Sequence, residues 1–218
     1  KNTSTGKSLC LKTKQLFLIN QRMKVAIVKY NAGNIYSVAY ALKRLGINPI
    51  ITADPDELRA ADKVIFPGVG EALTTMQHLR ETGIDKVIRD LKQPVLGICL
   101  GMQLMCASSE EGNTPCLGIF DTTVKRFIPQ RHEDKVPHMG WNTLTDVKSG
   151  LFSDQLANKF VYFVHSYYVP VNEHTVATTD YILPFSAAMQ KDNFFATQFH
   201  PEKSGTVGEL ILQNFINL

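Results

Sequence analysis

The chain has no apolar run approaching the roughly 18–20 residues of a membrane-spanning helix. It is poor in cysteine, and its four thiols, Cys10, Cys99, Cys106 and Cys116, form no Cys-x-x-Cys pair and no spacing typical of zinc ligands. The six histidines are scattered, so no metal site is expected. Unpaired thiols suit a reducing cytosol, and a cytoplasmic setting is the expectation. No internal repeat, low-complexity tract or linker divides the 218 residues, which fit one domain. An excess of positive charge is also missing where it would matter. The formal +3 comes from Lys1, Lys7, Lys12, Lys14 and Arg22, and the remainder holds 18 basic against 20 acidic residues. That balance excludes a nucleic-acid footprint.

Residues 1–22 are basic and acid-free, like a transit peptide, but "LFLI" is too short for a secretory signal. The reading adopted is an extension ahead of a start at Met23, with residues 23–218 forming the domain. Within it, "KVAIVKY", "NPIITA", "KVIFPGVG" and "PVLGIC" read as strands. Between them, Ile35, Val38, Ala39, Leu42 and Leu45 recur at helical spacing behind a possible Asn34 cap, with Gly46 as the stop. A second helical stretch runs from Ala72 to Leu91, interrupted near Gly83, and "LGMQLMCASSEE" reads as a third. Strand alternating with helix predicts an α/β fold, a mostly parallel central sheet flanked by helices. Farther on, "GIFDTTVKRF", "FVYFVHSYYV", "TVATTD", "SAAMQ" and "NFFATQF" follow closely, predicting an additional antiparallel β section. The last helix, "TVGELILQNFINL", carries Thr206 and Glu209 at capping-box spacing.

Ligand sites in such sheets gather at the carboxyl ends of the strands. Cys99 stands at one, in "GICLGMQ", with Gly97 and Gly101 on either side. A nucleophile elbow requires small neighbours there, because its reactive residue takes strained backbone angles. The helix that follows aims its free N–H groups at the sulfur, which favours a thiolate. The alternative is a buried core cysteine, the reading given to Cys106 inside the following helix. A nucleophile needs a base, and "TQFHPEKSG" places His200 after another strand. If Pro201 holds the chain extended, Glu202 lies alongside the imidazole. "PGVG" offers the backbone N–H of Val69 as an oxyanion donor beside that of Leu100. Its glycines fail the dinucleotide fingerprint, since Leu73 stands where the third should be. His132, His138 and "RHEDK" read as a solvated loop.

With these motifs, "YNAGN", "KVPHMGWN" and "YFVHSYY" in order along nearly the whole chain, the sequence resembles class I glutamine amidotransferases. It is most similar to those serving as the glutaminase subunit of imidazole glycerol phosphate synthase, in histidine biosynthesis. The resemblance implies a single flavodoxin-like domain and no cofactor. It implies a Cys99–His200–Glu202 triad that hydrolyses glutamine through a thioester. It places Gly68, Gly70, Gln103, Ser166 and Tyr167 at the substrate. It also implies a cyclase partner, a (β/α)8 barrel on a separate chain that receives the ammonia. Asn34, Trp141, Asn142, Tyr162 and Lys203 then fall at or near the interface with it. Flanked by Gly68 and Gly70, the Val69 peptide is placed to rotate into an oxyanion hole when the partner is loaded. Another class I amidotransferase, a non-catalytic subunit on this fold and a cysteine hydrolase of other substrates are the alternatives.

Overall fold

The computed structural model describes residues 23–30, 34–148, 150–152 and 154–218, so the expected extension 1–22 lies outside the described residues. In chain order, β1 is Val25–Val28, α1 Ile35–Arg44, β2 Ile50–Thr52, α2 Pro55–Arg59, β3 Lys63–Gly68, α3 Ala72–Glu81 and α4 Ile84–Asp90. These are followed by β4 Val95–Cys99, α5 Leu100–Leu104, β5 Cys106–Ser109, β6 Thr114–Pro115 and β7 Phe120–Arg126. Then come β8 His138–Thr143, β9 Phe160–His165, β10 Tyr167–Tyr168, β11 Thr175–Asp180, β12 Pro184–Lys191, β13 Phe194–Thr197 and α6 Gly205–Ile216.

The main sheet has seven strands in the order β11-β12-β13-β4-β3-β1-β2. From β2 through β13 the neighbours run parallel, while β12 and β11 extend that edge antiparallel. The parallel part repeats the 2-1-3-4-5 order of flavodoxin-like sheets, with β13 as its fifth strand. β1, β3 and β4 are buried along their whole length, as strands covered on both faces must be. One core cluster joins Val38, Leu42, Ile65, Phe195 and Phe215, and the other joins Val64, Phe66, Leu79, Ile88 and Met102. Each fully buried side chain of this size contributes about 1.5–3 kcal/mol before entropy is counted. A four-stranded sheet, β10-β7-β5-β6, and a two-stranded ribbon, β8-β9, complete the fold.

Several local expectations are corrected. The helix after Cys99 stops at Leu104, and "CASS" becomes β5, because Ser108 and Ser109 are weak helix formers and the segment pairs with Phe120–Val124. Cys106 is therefore in a strand, although it is buried as expected. "HMGWNT" forms β8, whose Gly140 and Asn142 obscure strand alternation. Helix α2 went unread, yet its start is explicit: the Asp54 carboxylate accepts from the N–H groups of Asp56 and Glu57, with Pro55 opening the turn. Asn34 precedes α1 in left-handed geometry and makes no side-chain cap. The Thr206–Glu209 capping box does not form, because α6 begins at Gly205 and Glu209 pairs with Arg44 at 2.8 Å. His138 is not in a solvated loop but buried in β8, whereas His132 is exposed.

Candidate active site

The register of the sheet brings three strand ends together. Gly68 at the end of β3 pairs with Cys99 at the end of β4, and Thr197 of β13 pairs with Ile98 on the other side. Cys99 has φ 54° and ψ −107°, and α5 starts at the next residue. Such a backbone conformation costs about 1–3 kcal/mol and persists only where its surroundings enforce it. Tight packing does so here. A Cβ on Gly101 would stand 1.9 Å from the carbonyl oxygen of Phe66, and one on Gly68 would stand 2.8 Å from the N of Gly101. Gly97 is similarly closed off by Met105 Sδ at 2.8 Å. Gly101→Ala is therefore expected to lower stability by about 3 kcal/mol or more in denaturant unfolding, because a backbone carbonyl cannot move aside as a side chain can. An unchanged midpoint would show that the elbow is not packed this tightly.

His200 stands three residues beyond the last paired residue of β13 and is 1% exposed. Its N–H donates to the Tyr162 carbonyl at 2.9 Å, and its own carbonyl accepts from the Ser204 hydroxyl at 2.7 Å. The ring's Nδ1 lies 2.7 Å from Glu202 Oε1, which also accepts from Asn34 Nδ2. The expected neighbours do meet, but not along an extended chain: Pro201–Lys203 is a turn of 3-10 helix that folds the carboxylate back under the imidazole. Gly208 of α6 backs onto that turn so closely that a Cβ would sit 1.8 Å from the Pro201 carbonyl oxygen. Burial alone would lower the imidazole pKa. The negative charge of an ionised Cys99 and the hydrogen-bonded Glu202 carboxylate together reverse this and carry it up to about 10. Nε2 has no regular hydrogen-bond partner among the described residues, leaving it free to exchange a proton with a ligand.

Cys99 and His200 line one cavity of about 380 Å³. Val69, Gly70 and Leu100 form one part of its wall, and Gln103, Ser166 and Tyr167 another. Gly68 is not among the lining residues and packs beneath, under Leu100 and Gly101. Of the residues expected at an interface, Lys203 lines the cavity, with Nζ 6.0 Å from the Tyr162 ring centre. Trp141 is 55% exposed on β8 and meets Tyr162 edge-on at 5.9 Å. Asn142 donates to the Asp180 carbonyl at 2.8 Å, and Asn34 is turned toward Glu202. Among the described residues, no three His, Cys, Asp or Glu side chains group to hold a metal ion.

The sequence profile described as "Glutamine amidotransferase class-I" matches residues 26–218. The chain belongs to the class I glutamine amidotransferase family. It is 70% identical over 196 residues to the imidazole glycerol phosphate synthase subunit HisH of Bacteroides fragilis, covering 90% of this chain and 100% of that one. The subunit of the same name from Pectobacterium atrosepticum is 46% identical with the same coverage. A crystal structure of a glutamine amidotransferase superposes with a TM-score of 0.68 at 22% identity, over 88% of this chain and 97% of that one. PurLQS from Thermotoga maritima gives a TM-score of 0.63 at 16% identity, over 89% and 98%. At those identities the likeness concerns the fold.

Four polar groups of this amidotransferase's site escaped the sequence reading. Glu111 lines the cavity, with Oε2 accepting from the Ala72 N–H at 2.8 Å, and burial, opposed by that bond, holds its carboxyl above the ordinary range. Gln198 is fully buried beside the sulfur. His138 and His165 form a buried pair, Nδ1 to Nε2 at 3.1 Å. His165 Nδ1 donates to the Tyr167 carbonyl at 2.7 Å, so its Nε2 must accept from His138, whose own Nε2 faces Asn142 at 3.4 Å. His165 forms part of the cavity wall. For Glu111 the adjacent "SSEEGN" offered only a polar turn, and the histidines looked like members of unrelated segments.

Proposed function

We infer that this chain is the glutaminase subunit of an imidazole glycerol phosphate synthase, with residues 23–218 as its amidotransferase domain. The observation that carries the chemistry is Cys99 on a strained elbow, opening into one cavity with a buried His200 held by Glu202. The identity to curated HisH subunits supports the choice of acceptor.

In the proposed reaction, the Cys99 thiolate attacks the side-chain carboxamide of glutamine. The oxygen takes the electron pair, facing the N–H groups of Val69 and Leu100; one such donor is typically worth about 3–4 kcal/mol. His200 Nε2 gives its proton to the departing nitrogen, the C–N bond breaks, and ammonia leaves a γ-glutamyl thioester. Water then attacks that thioester while Nε2 takes its proton, and glutamate departs from the restored thiolate. Glu202 keeps the ring oriented and stabilises imidazolium throughout. Gln103 commits both amide hydrogens to protein acceptors, so it offers the substrate only a carbonyl oxygen. That oxygen and the Glu111 carboxylate suit the α-ammonium group, while Ser166 and Tyr167 hold the other end. No cofactor is needed.

The partner, a separate cyclase barrel, docks in this reading on the face carrying Trp141, Tyr162 and Lys203. Met139 and Trp141, alternate residues of β8, are 67% and 55% exposed, which presents an apolar stripe outward from the ribbon. Ammonia passes from the cavity to that barrel. No helix among the described residues is long and apolar enough to cross a membrane, and the setting we propose is the cytoplasm. The decisive measurement is glutamate release from glutamine by the chain alone, with the cyclase, and with the cyclase carrying its ribulosyl-phosphate substrate or an analogue. The rate is expected to rise on adding the loaded partner, and Trp141→Ala is expected to weaken association by about 2 kcal/mol, roughly 30-fold. A rate indifferent to the partner, or one raised instead by the acceptor subunit of another amidotransferase, would refute the assignment.

A further inference from the structure

We propose that Gln198 is a positioning residue that holds the Cys99 sulfur in its reactive, ionised form. The proposal rests on the glutaminase reading above and adds a residue to its machinery. Gln198 lies between β13 and His200 and has no exposure to solvent. Its Nε2 is 3.7 Å from Cys99 Sγ, and its Oε1 accepts from Gln103 Nε2 at 2.9 Å. Gln103 Nε2 also donates to the Tyr167 carbonyl at 3.0 Å, which uses both hydrogens of that nitrogen. The direction of the Gln198 amide is thereby determined. Turning it over would set two NH2 groups against each other and aim an oxygen lone pair at the sulfur.

The sulfur's other close polar neighbour has the opposite preference. The Val164 carbonyl oxygen lies 3.9 Å from Sγ and can bond only a thiol, through S–H. When Cys99 ionises that bond is lost, and the carbonyl dipole opposes the new charge. The Gln198 N–H group gains, because a hydrogen bond to an ionised acceptor is about twice as strong as one between neutral groups. The remaining titratable groups near the sulfur are His200 from the 3-10 turn with Glu202 behind it, the phenol of Tyr30 beyond β1, and His165, Glu111 and Lys203 in the cavity wall. Of these, His200 must give its proton away during turnover. Gln198 cannot titrate, so it stays a donor to the sulfur at every stage.

The test is the pH dependence of Cys99 alkylation by iodoacetamide, located by mass spectrometry, together with kcat and KM for glutamine in the wild type, Gln198→Leu and Gln198→Met. Both variants are expected to shift the alkylation profile upward by about one to two pH units, the equivalent of losing one charge-assisted hydrogen bond. They should lower kcat about tenfold to a hundredfold and leave KM within about twofold. Gln198→Met keeps the length and roughly the volume of the side chain and removes the donor without adding a charge, so a purely structural role predicts a wild-type profile in that variant. That profile, or loss of folding in both variants, overturns the proposal. Absence of glutamate release by the wild type, even with the loaded cyclase, overturns the underlying glutaminase reading instead, a result that the alkylation profiles cannot produce.

Discussion

Cys99→Ala is expected to release glutamate from glutamine at least about 10⁴-fold more slowly than the wild type, while folding normally and still binding the cyclase. The size follows from the collapse of a nucleophile–base unit: once the attacking atom is gone, substrate binding and the oxyanion donors account for little of the acceleration. Alanine keeps the positive φ at position 99 and removes one buried atom, so the elbow's packing against Phe66 and Gly68 persists. Coupled detection of glutamate by a dehydrogenase, beside circular dichroism and a pull-down with the cyclase, separates lost chemistry from lost structure. A variant retaining more than a few per cent of the rate would assign the hydrolysis to another nucleophile. Cys106 would be a poor one, since burial holds its thiol well above the usual range.

How far this site could be anticipated depended on whether its parts were local. The elbow could be read because glycines at −2 and +2 from a cysteine express a steric requirement within five residues, and the clash of a Cβ with the Phe66 carbonyl bears it out. Strand-helix alternation gave the parallel sheet for a similar reason, since the strands at its centre are buried on both faces and read as unbroken apolar runs. His200 and Glu202 were paired correctly for a mistaken reason, an extended chain where a 3-10 turn stands. Groups whose partners are distant in the chain were missed. Gln198 meets Cys99 across 99 positions, and His138 meets His165 across 27. No pattern within either segment announces such pairings. Tertiary pairing also overruled local pattern at "CASS", which the sequence suggested was helical and which became a strand against β7.

The second large effect concerns acid. Burial pushes the pKa of His138 down to about 4 and that of His165 to about 3, the latter despite its bond to the Tyr167 carbonyl. The geometry explains why neither ring accepts a proton: His165 Nε2 is occupied by the Nδ1–H of His138, and a second hydrogen there would face a donor. In the unfolded chain both rings titrate near 6.5. Their contribution to stability is therefore complete above about pH 6.5 and is lost as pH falls toward 4 and then 3, because the unfolded state takes up protons that the folded state refuses. Each ring adds a slope of about 1 kcal/mol per pH unit in that window. His200 has the opposite shift, and its contribution is present below about 6.5 and lost as pH rises through about 10. Urea unfolding at pH 7, 6, 5 and 4.5 should show the steep fall before most carboxylates protonate. Nitrogen-15 spectra should show two imidazoles, each carrying hydrogen on Nδ1, that remain neutral at pH 5. If both rings titrate near 6.5 in the folded protein, the buried pair does not exist as described.

The close approach of Gly208 to Pro201 ties α6 to the reactive centre. The helix carrying Gly208 also seats Ile211, Leu212, Phe215 and Ile216 in the core, while Ser204 at its start grips the backbone of His200. This helix thus serves as a buttress for the base. Trimming this helix, or splicing a rigid fusion onto it, would reach the imidazole mechanically without touching any residue that meets glutamine.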